Sequence, residues 1–172
     1  MNLIELIDRR PRLVLAAVAA LCVGLLSFGM FLQHVVGLEP CPMCIVQRYA
    51  MVLVALAALL GASWPSVRTG AGVAASAVVL LSGFGAFVAA RQSFLQWFPP
   101  QEASCGRDFY GMIETFPLQR VVPMIFKGSG DCAAVDWSFL TLTIANWSFL
   151  NFCLIGLVAA TVVWRSWVNR RQ

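Results

Sequence analysis

Two cysteines separated by two residues, Cys41 and Cys44, are the part of this sequence best suited to chemistry. A Cys-x-x-Cys pair closes a small disulfide ring, and its reactivity depends on how strongly the surroundings favour a thiolate. Pro42 suits the first turn of a helix, so we expect Cys44 in that turn, where the positive end of the helix dipole stabilises a thiolate. Arg48 follows Cys44 by four residues and lies one turn away on the same helix face. The segment predicts a redox-active thiol pair with a cationic neighbour.

Three other interpretations of this segment stay open from the residues alone. The pair could form a structural disulfide, although a bridge across two residues constrains little chain. It could bind zinc, but a zinc site needs about four ligands and His34 is the single histidine of the chain, so we expect no metal site. Arg48 could extend to the lipid headgroups. His34 lies about two turns before Cys41 and is a candidate either for contact with a bound cofactor or for packing.

A second pair, Cys105 and Cys132, encloses 26 residues. A disulfide between them would stabilise the enclosed segment by roughly 3 to 4 kcal/mol through chain entropy, so an inert bridge is one interpretation. The segment is interrupted by proline and glycine, as a mobile segment facing a protein partner would be, which favours a redox role. The other cysteines, Cys22 and Cys153, fall within apolar stretches and are expected to pack as small apolar residues.

The elements that position these cysteines follow from composition. Of 172 residues, 60% are hydrophobic and only 12% are charged, and the mean hydropathy is +0.80. Four apolar stretches, about 13–36, 45–63, 71–90 and 147–163, each approach the ~20 residues that a membrane-spanning helix needs. We therefore predict an all-α membrane protein, a bundle of four transmembrane helices that forms a single integral-membrane domain over residues 1–172.

A long connection, about 91–146, separates the third and fourth stretches. It contains an apolar run over 112–126 that two prolines interrupt, so it is too short and broken to span a membrane. We expect a short interfacial helical segment there, with its apolar side at the lipid headgroups. The connection is predicted to be the second periplasmic loop.

Charge predicts the orientation of the bundle, since Lys and Arg near helix ends stay in the cytoplasm. The two terminal tails and the link at 64–69 share one side and carry seven basic and two acidic residues, whereas the other side carries five basic and six acidic residues. Both termini are therefore predicted to be cytoplasmic, and the two cysteine pairs to lie outside, where disulfides persist. No basic patch interleaved with aromatic residues exists, which argues against nucleic-acid binding.

Together these residues resemble the disulfide bond formation protein B (DsbB) family of bacterial inner-membrane thiol oxidases. The resemblance covers nearly the whole chain. It is carried by Gln33-His34, by Cys41-Pro42-Met43-Cys44 with Arg48, by Leu95-Gln96-Trp97-Phe98-Pro99, and by Ser129-Gly130-Asp131-Cys132 followed by Trp137, Phe139, Leu140 and Trp147.

The resemblance implies a path for electrons. A reduced periplasmic thioredoxin-fold oxidase, similar to DsbA, would attack Cys105 and form a mixed disulfide, and Cys132 would complete this outer pair. Electrons would then pass to Cys41 and Cys44, and from Cys44 to the membrane quinone pool, either ubiquinone or menaquinone.

The resemblance also implies how a quinone is held. Arg48 would stabilise the charged complex and the reduced ring. Some relatives have a histidine after the third span, where this chain has Arg91-Gln92, and Gln92 is expected to hydrogen-bond a quinone oxygen. Two alternatives share these motifs: an oxidase for a dedicated donor protein, and a structural four-helix membrane protein whose two disulfides are inert.

Overall fold

A computed structural model describes residues 10–64, 67–98 and 137–168, together with Ile7 and Val135. Cys105, Cys132 and the predicted interfacial segment at 112–126 lie outside the described residues.

Four long helices make up most of the described chain: α1 (Pro11–His34), α2 (Pro42–Ser63), α3 (Val67–Trp97) and α4 (Ile144–Val168). Each is long and apolar enough to cross a membrane. A proline occupies the first turn of α1 and of α2, where its missing N–H group costs no hydrogen bond. The predicted four-helix membrane bundle is confirmed, and the chain is a multi-pass membrane protein.

The third helix extends further than its apolar run. The run was predicted to end at residue 90, but α3 continues for seven more residues to Trp97. Gln92 and Ser93 in this extension are buried, so polar side chains that end the apolar pattern in sequence still point into protein. The extension brings Gln92 to the level of the first turn of α2.

A small β-hairpin precedes α4, within the stretch predicted as loop. Strand β1 (Ser138–Phe139) pairs antiparallel with β2 (Leu142–Thr143). The connecting residues, Leu140 and Thr141, both have left-handed backbone angles, with φ of 52° and 66°. Thr143 donates a hydrogen bond of 2.7 Å to Gln96 at the end of α3 and accepts one from the backbone of α4, so the hairpin is fixed against two helices.

The helices pack in chain order, α1 against α2, α2 against α3, and α3 most extensively against α4, while α1 and α4 barely meet. The main buried cluster, called the closed core below, consists of Ile7, Val14, Leu15, Val18, Ala19, Cys22, Ala50, Met51, Val54, Ala55, Ala58, Ala71, Ala75, Val78, Phe152, Ile155, Ala159 and Val162. Small residues allow the close approach of helices that association in lipid requires. At Gly85, a Cβ atom would lie 2.4 Å from the ring of Phe152.

Candidate functional site

The two cysteines of the Cys-x-x-Cys pair lie at the start of α2. Cys41 is the N-cap residue of that helix, and its sulfur accepts a hydrogen bond of 3.2 Å from the backbone N–H of Cys44. The two sulfur atoms are 2.8 Å apart, and both residues are free cysteines. The N-cap position follows from the local sequence, because Pro42 fixes the first helical residue. The Cys44 sulfur is thereby held at the N-terminus of a helix, where the dipole favours negative charge.

The two thiols differ in how readily they lose a proton. The side-chain hydrogen bond to Cys44 raises the pKa of the Cys41 thiol, and burial of Cys41 raises it further. A thiol with a raised pKa keeps its proton at neutral pH. Cys41 is therefore the protonated member of the reduced pair and donates to the sulfur of Cys44.

A buried amide on α3 faces both sulfur atoms. The Nε2 group of Gln92 donates to the sulfur of Cys41 at 3.1 Å and to that of Cys44 at 3.2 Å. Its carbonyl oxygen accepts a hydrogen bond of 2.6 Å from Nε2 of Gln47, on α2. Only 3% of the surface of Gln92 and 5% of that of Gln47 are exposed.

Arg48 extends from α2 to α1. Its guanidinium donates to the side-chain oxygen of Gln33 and, at 3.2 Å, to the carbonyl oxygen of Gly29. The sulfur of Met30 lies 3.8 Å from the same group. Within the described part of the chain, the hydrogen bonds of Arg48 therefore go to α1 rather than to either cysteine sulfur, and they fix the charge beside the thiol pair.

A cavity of about 620 Å³ lies at this end of the bundle, which we call the cavity end. Cys41, Cys44 and Arg48 line it together with Gln47 and Gln92. Further wall residues come from α1, from the hairpin region and from α4, among them Leu25, Leu26, Phe28, Trp137, Phe139 and Trp147. Its volume and its mainly apolar wall with a few converging polar groups are typical of sites for small organic molecules.

Aromatic rings form one wall of the cavity. The rings of Phe28 and Trp137 meet edge to face with centroids 6.1 Å apart, and Trp137 stacks on Phe139 at 6.1 Å. The indole N–H of Trp147 donates to the carbonyl oxygen of Phe139 at 3.1 Å. The hairpin therefore closes the gap between α1 and α4, the two helices that barely touch.

The structure brings together four of the residues predicted from the sequence: Cys41, Cys44, Arg48 and Gln92. His34, predicted to contact a cofactor, is exposed at the end of α1 and does not line the cavity. Within the described ranges, no three His, Cys, Asp or Glu side chains approach closely enough to bind a metal ion.

Sequence reasoning missed Gln47 and the aromatic hairpin. A polar amide within a membrane span is costly unless it has a hydrogen-bond partner, so Gln47 could have been identified from the sequence as a residue with a buried polar contact. The hairpin has no clear sequence pattern, because its strands are two residues long and its turn lacks the glycine or asparagine that such turns favour.

Comparisons with a family profile and with individual known proteins identify the same family. The profile of the family "Disulfide bond formation protein DsbB" matches residues 11–162. The chain is 68% identical over 158 residues to disulfide bond formation protein B of Polaromonas naphthalenivorans, an alignment that covers 90% of this chain and 92% of the relative. It is 60% identical to the protein of that name from Albidiferax ferrireducens, over 96% of this chain and 94% of the relative. A more distant relative from Aromatoleum aromaticum is 49% identical over 85% of this chain and 88% of its own.

Proposed function

Because the chain belongs to the disulfide bond formation protein B family, we propose that this disulfide-generating membrane oxidoreductase reoxidises a periplasmic thioredoxin-fold oxidase of DsbA type and passes the electrons to a membrane quinone. One observation carries the proposal: Cys44 and Arg48 line a cavity of about 620 Å³ among membrane-spanning helices. A lipid-soluble acceptor reaches such a cavity from the bilayer, whereas a strongly hydrated one does not.

The proposed location is the bacterial inner membrane, with both termini cytoplasmic and the cavity end periplasmic. Seven basic and two acidic residues on the terminal side, against five and six on the other, support this orientation. It puts Cys41 and Cys44 on the oxidising side of the membrane, where a newly formed disulfide persists.

The cavity fits the chemistry of a quinone. Apolar side chains such as Leu26, Met51 and Trp147 suit the ring and the start of an isoprenoid tail, and the guanidinium of Arg48 supplies a positive charge for the ring oxygens. Gln92 lines the same space. A quinone, when bound, accepts two electrons and two protons. Ubiquinone and menaquinone are both quinones of this kind.

Electrons enter through thiol–disulfide exchange in the proposed scheme. The donor's two thiols reduce a Cys105–Cys132 disulfide, so that the donor leaves as a disulfide and this pair becomes a dithiol. The dithiol then reduces a Cys41–Cys44 disulfide in the same way. Each exchange breaks one S–S bond, forms another, and moves two electrons and two protons.

The thiol pair at the cavity end completes the cycle. Cys41 keeps its proton and donates to Cys44, so negative charge collects on the Cys44 sulfur, which lies in the first turn of α2 and lines the cavity. Loss of two electrons and two protons from the pair restores the Cys41–Cys44 disulfide. Arg48 is held in place by Gln33 and Gly29, so its charge is already positioned beside the reduced pair.

The test is quinone reduction by the purified protein in detergent, followed by quinone absorbance. Short-chain ubiquinone and menaquinone analogues are each supplied with a reduced DsbA-type protein. We expect quinone loss that depends on the donor, with one disulfide formed in the donor for each quinone consumed. Reactions without donor and with a donor whose cysteines are replaced by serine are the controls.

Other outcomes point to the alternatives. Turnover with one thioredoxin-fold donor out of a panel, but not with the DsbA type, would indicate an oxidase for a dedicated partner. No thiol turnover with any donor or quinone would overturn the proposal and favour a structural membrane protein with two inert disulfides.

A further inference from the structure

Of the amide pair on α2 and α3, Gln92 has so far been given only an expected contact to a quinone oxygen, and Gln47 has no assigned role in the electron path. Gln47 is one turn beyond Cys44 on α2, and Gln92 approaches from α3. Both side chains are at least nine-tenths buried in a membrane protein. An amide removed from water without hydrogen-bond partners costs several kcal/mol, on the order of 2 to 7. The hydrogen-bond partners of the two amides therefore decide whether burying them is favourable.

The hydrogen bonds of the pair have a direction. Gln47 donates to the carbonyl oxygen of Gln92 at 2.6 Å, whereas the Cys44 sulfur lies 3.7 Å from that oxygen. The Nε2 group of Gln92 is closer to both sulfur atoms, at 3.1 Å from Cys41 and 3.2 Å from Cys44. The reverse orientation of Gln92 would put its carbonyl oxygen against both sulfur atoms. Oxygen lone pairs would then face the charge of a thiolate, which is repulsive.

The donor group of Gln92 acts on one redox state more than the other. A thiolate is a much better hydrogen-bond acceptor than a disulfide sulfur, and bonds to ionised groups are roughly twice as strong as neutral ones. Gln92 therefore stabilises the reduced pair more than the oxidised pair. A stabilised reduced form makes a disulfide a stronger oxidant.

We propose that Gln47 is a positioning residue: by holding the carbonyl oxygen of Gln92, it keeps the amide nitrogen of Gln92 against both sulfur atoms and makes the Cys41–Cys44 disulfide a stronger oxidant. Gln47 contacts neither sulfur through a hydrogen bond found in the described part of the chain, so it acts through Gln92. The inference builds on the redox role of the pair in the proposed function, but the property it concerns is independent of any quinone or donor protein.

The experiment measures the redox equilibrium of the Cys41–Cys44 pair. The protein, with Cys105→Ser and Cys132→Ser, is equilibrated in detergent with dithiothreitol buffers of graded ratio. Free thiols are then trapped and counted by mass. No quinone or donor is present, so a failure of the proposed quinone chemistry does not affect the readout.

Gln47→Met is expected to shift the equilibrium about tenfold towards the disulfide form, or about 30 mV, because one bond to a thiolate is worth that much. Gln92→Met is expected to shift it at least as far. The double variant should match Gln92→Met alone, since Gln47 acts only through Gln92. Shifts in the redox equilibrium that do not add indicate that Gln47 and Gln92 act through one interaction. Two separate losses of stability would give shifts that add.

Two further variants make the test robust. Gln47→Asn keeps an amide but is one methylene shorter and cannot hold Gln92, so it should behave like Gln47→Met even if the latter folds poorly. Ser82→Ala removes another buried polar group from α3, one that donates to the Val78 carbonyl of its own helix, and should leave the equilibrium within twofold.

Three results would overturn the inference. The equilibrium could stay within twofold in both Gln47→Met and Gln47→Asn. The effects at positions 47 and 92 could simply add in the double variant. Ser82→Ala could cause the same shift as Gln47→Met, which would make the effect one of general stability.

Discussion

Two regions of this bundle, the closed core and the cavity end, hold cysteines in opposite surroundings. Cys22 belongs to the closed core and has no exposed surface. Cys41 and Cys44 lie beside two buried amides, an arginine and an open cavity. The same thiol group is thus a packing unit in the closed core and a candidate reactive group beside the cavity. We therefore expect substitutions in the closed core to change mainly stability and substitutions beside the cavity to change mainly activity.

The largest expected effect is loss of activity at the cavity end. Cys44→Ser removes the sulfur that faces the cavity, and we expect donor-dependent quinone reduction to fall by at least about a thousandfold, as for other enzymes that lose a covalent reacting group. Cys22→Ala, its counterpart in the closed core, should stay within about twofold per folded molecule. Equal losses in both variants would contradict the distinction between the closed core and the cavity end. Steady-state assays on both purified variants decide the matter.

The second effect concerns charge. Arg48→Gln keeps a long polar side chain but removes the positive charge, and we expect kcat/KM for quinone to fall about a hundredfold, the typical cost of losing an electrostatic contact to a reacting group. Arg48→Lys keeps the charge without the planar fork that reaches Gln33 and Gly29, so its loss should be smaller. An Arg48→Gln protein with unchanged quinone kinetics would remove Arg48 from the proposed site.

A third effect should appear in stability and leave activity intact. In Gly85→Ala, the added methyl group would meet the Phe152 ring at 2.4 Å, and overpacking of this kind costs about 1 to 3 kcal/mol of unfolding free energy. The matched control is Gly83→Ala on the same helix, where nothing lies within 4 Å of the added atom. Denaturation in mixed detergent compares the two variants. If Gly85→Ala is as stable as Gly83→Ala, the close approach of α3 and α4 is wrong.

The smallest effect is expected at His34. Its side chain is exposed and outside the cavity wall, and a group that transfers protons must lie within hydrogen-bond reach of the reacting atoms, so His34→Asn should change quinone reduction by less than about twofold. A pH profile of kcat on both proteins is the measurement. A profile that flattens in the variant would mean that His34 transfers protons during turnover.

Much of this arrangement could be predicted from the sequence, because it depends on local patterns. Hydropathy identified four spans, and helical spacing placed Arg48 on the face of Cys44. Pro42 indicated where α2 begins, and therefore that Cys44 lies in its first turn. Each of these inferences needs only residues that are close in sequence.

The rest depends on contacts between distant segments. Gln47 and Gln92 are 45 residues apart and meet only because α2 and α3 pack side by side. The extension of α3 to Trp97 could not be read from hydropathy, since its polar residues are buried in protein and not in lipid. Leu140 and Thr141 form a turn whose backbone is disfavoured for both residue types, so local preference pointed away from a hairpin.

That turn also offers a practical handle. Left-handed backbone angles at two successive positions are the geometry for which Asn-Gly is the preferred sequence, and the Leu140 side chain is 70% exposed, so replacing it removes little packing. A protein carrying Leu140→Asn and Thr141→Gly should tolerate detergent extraction and storage better than its parent. The hairpin would then be the first place to engineer for a more durable sample.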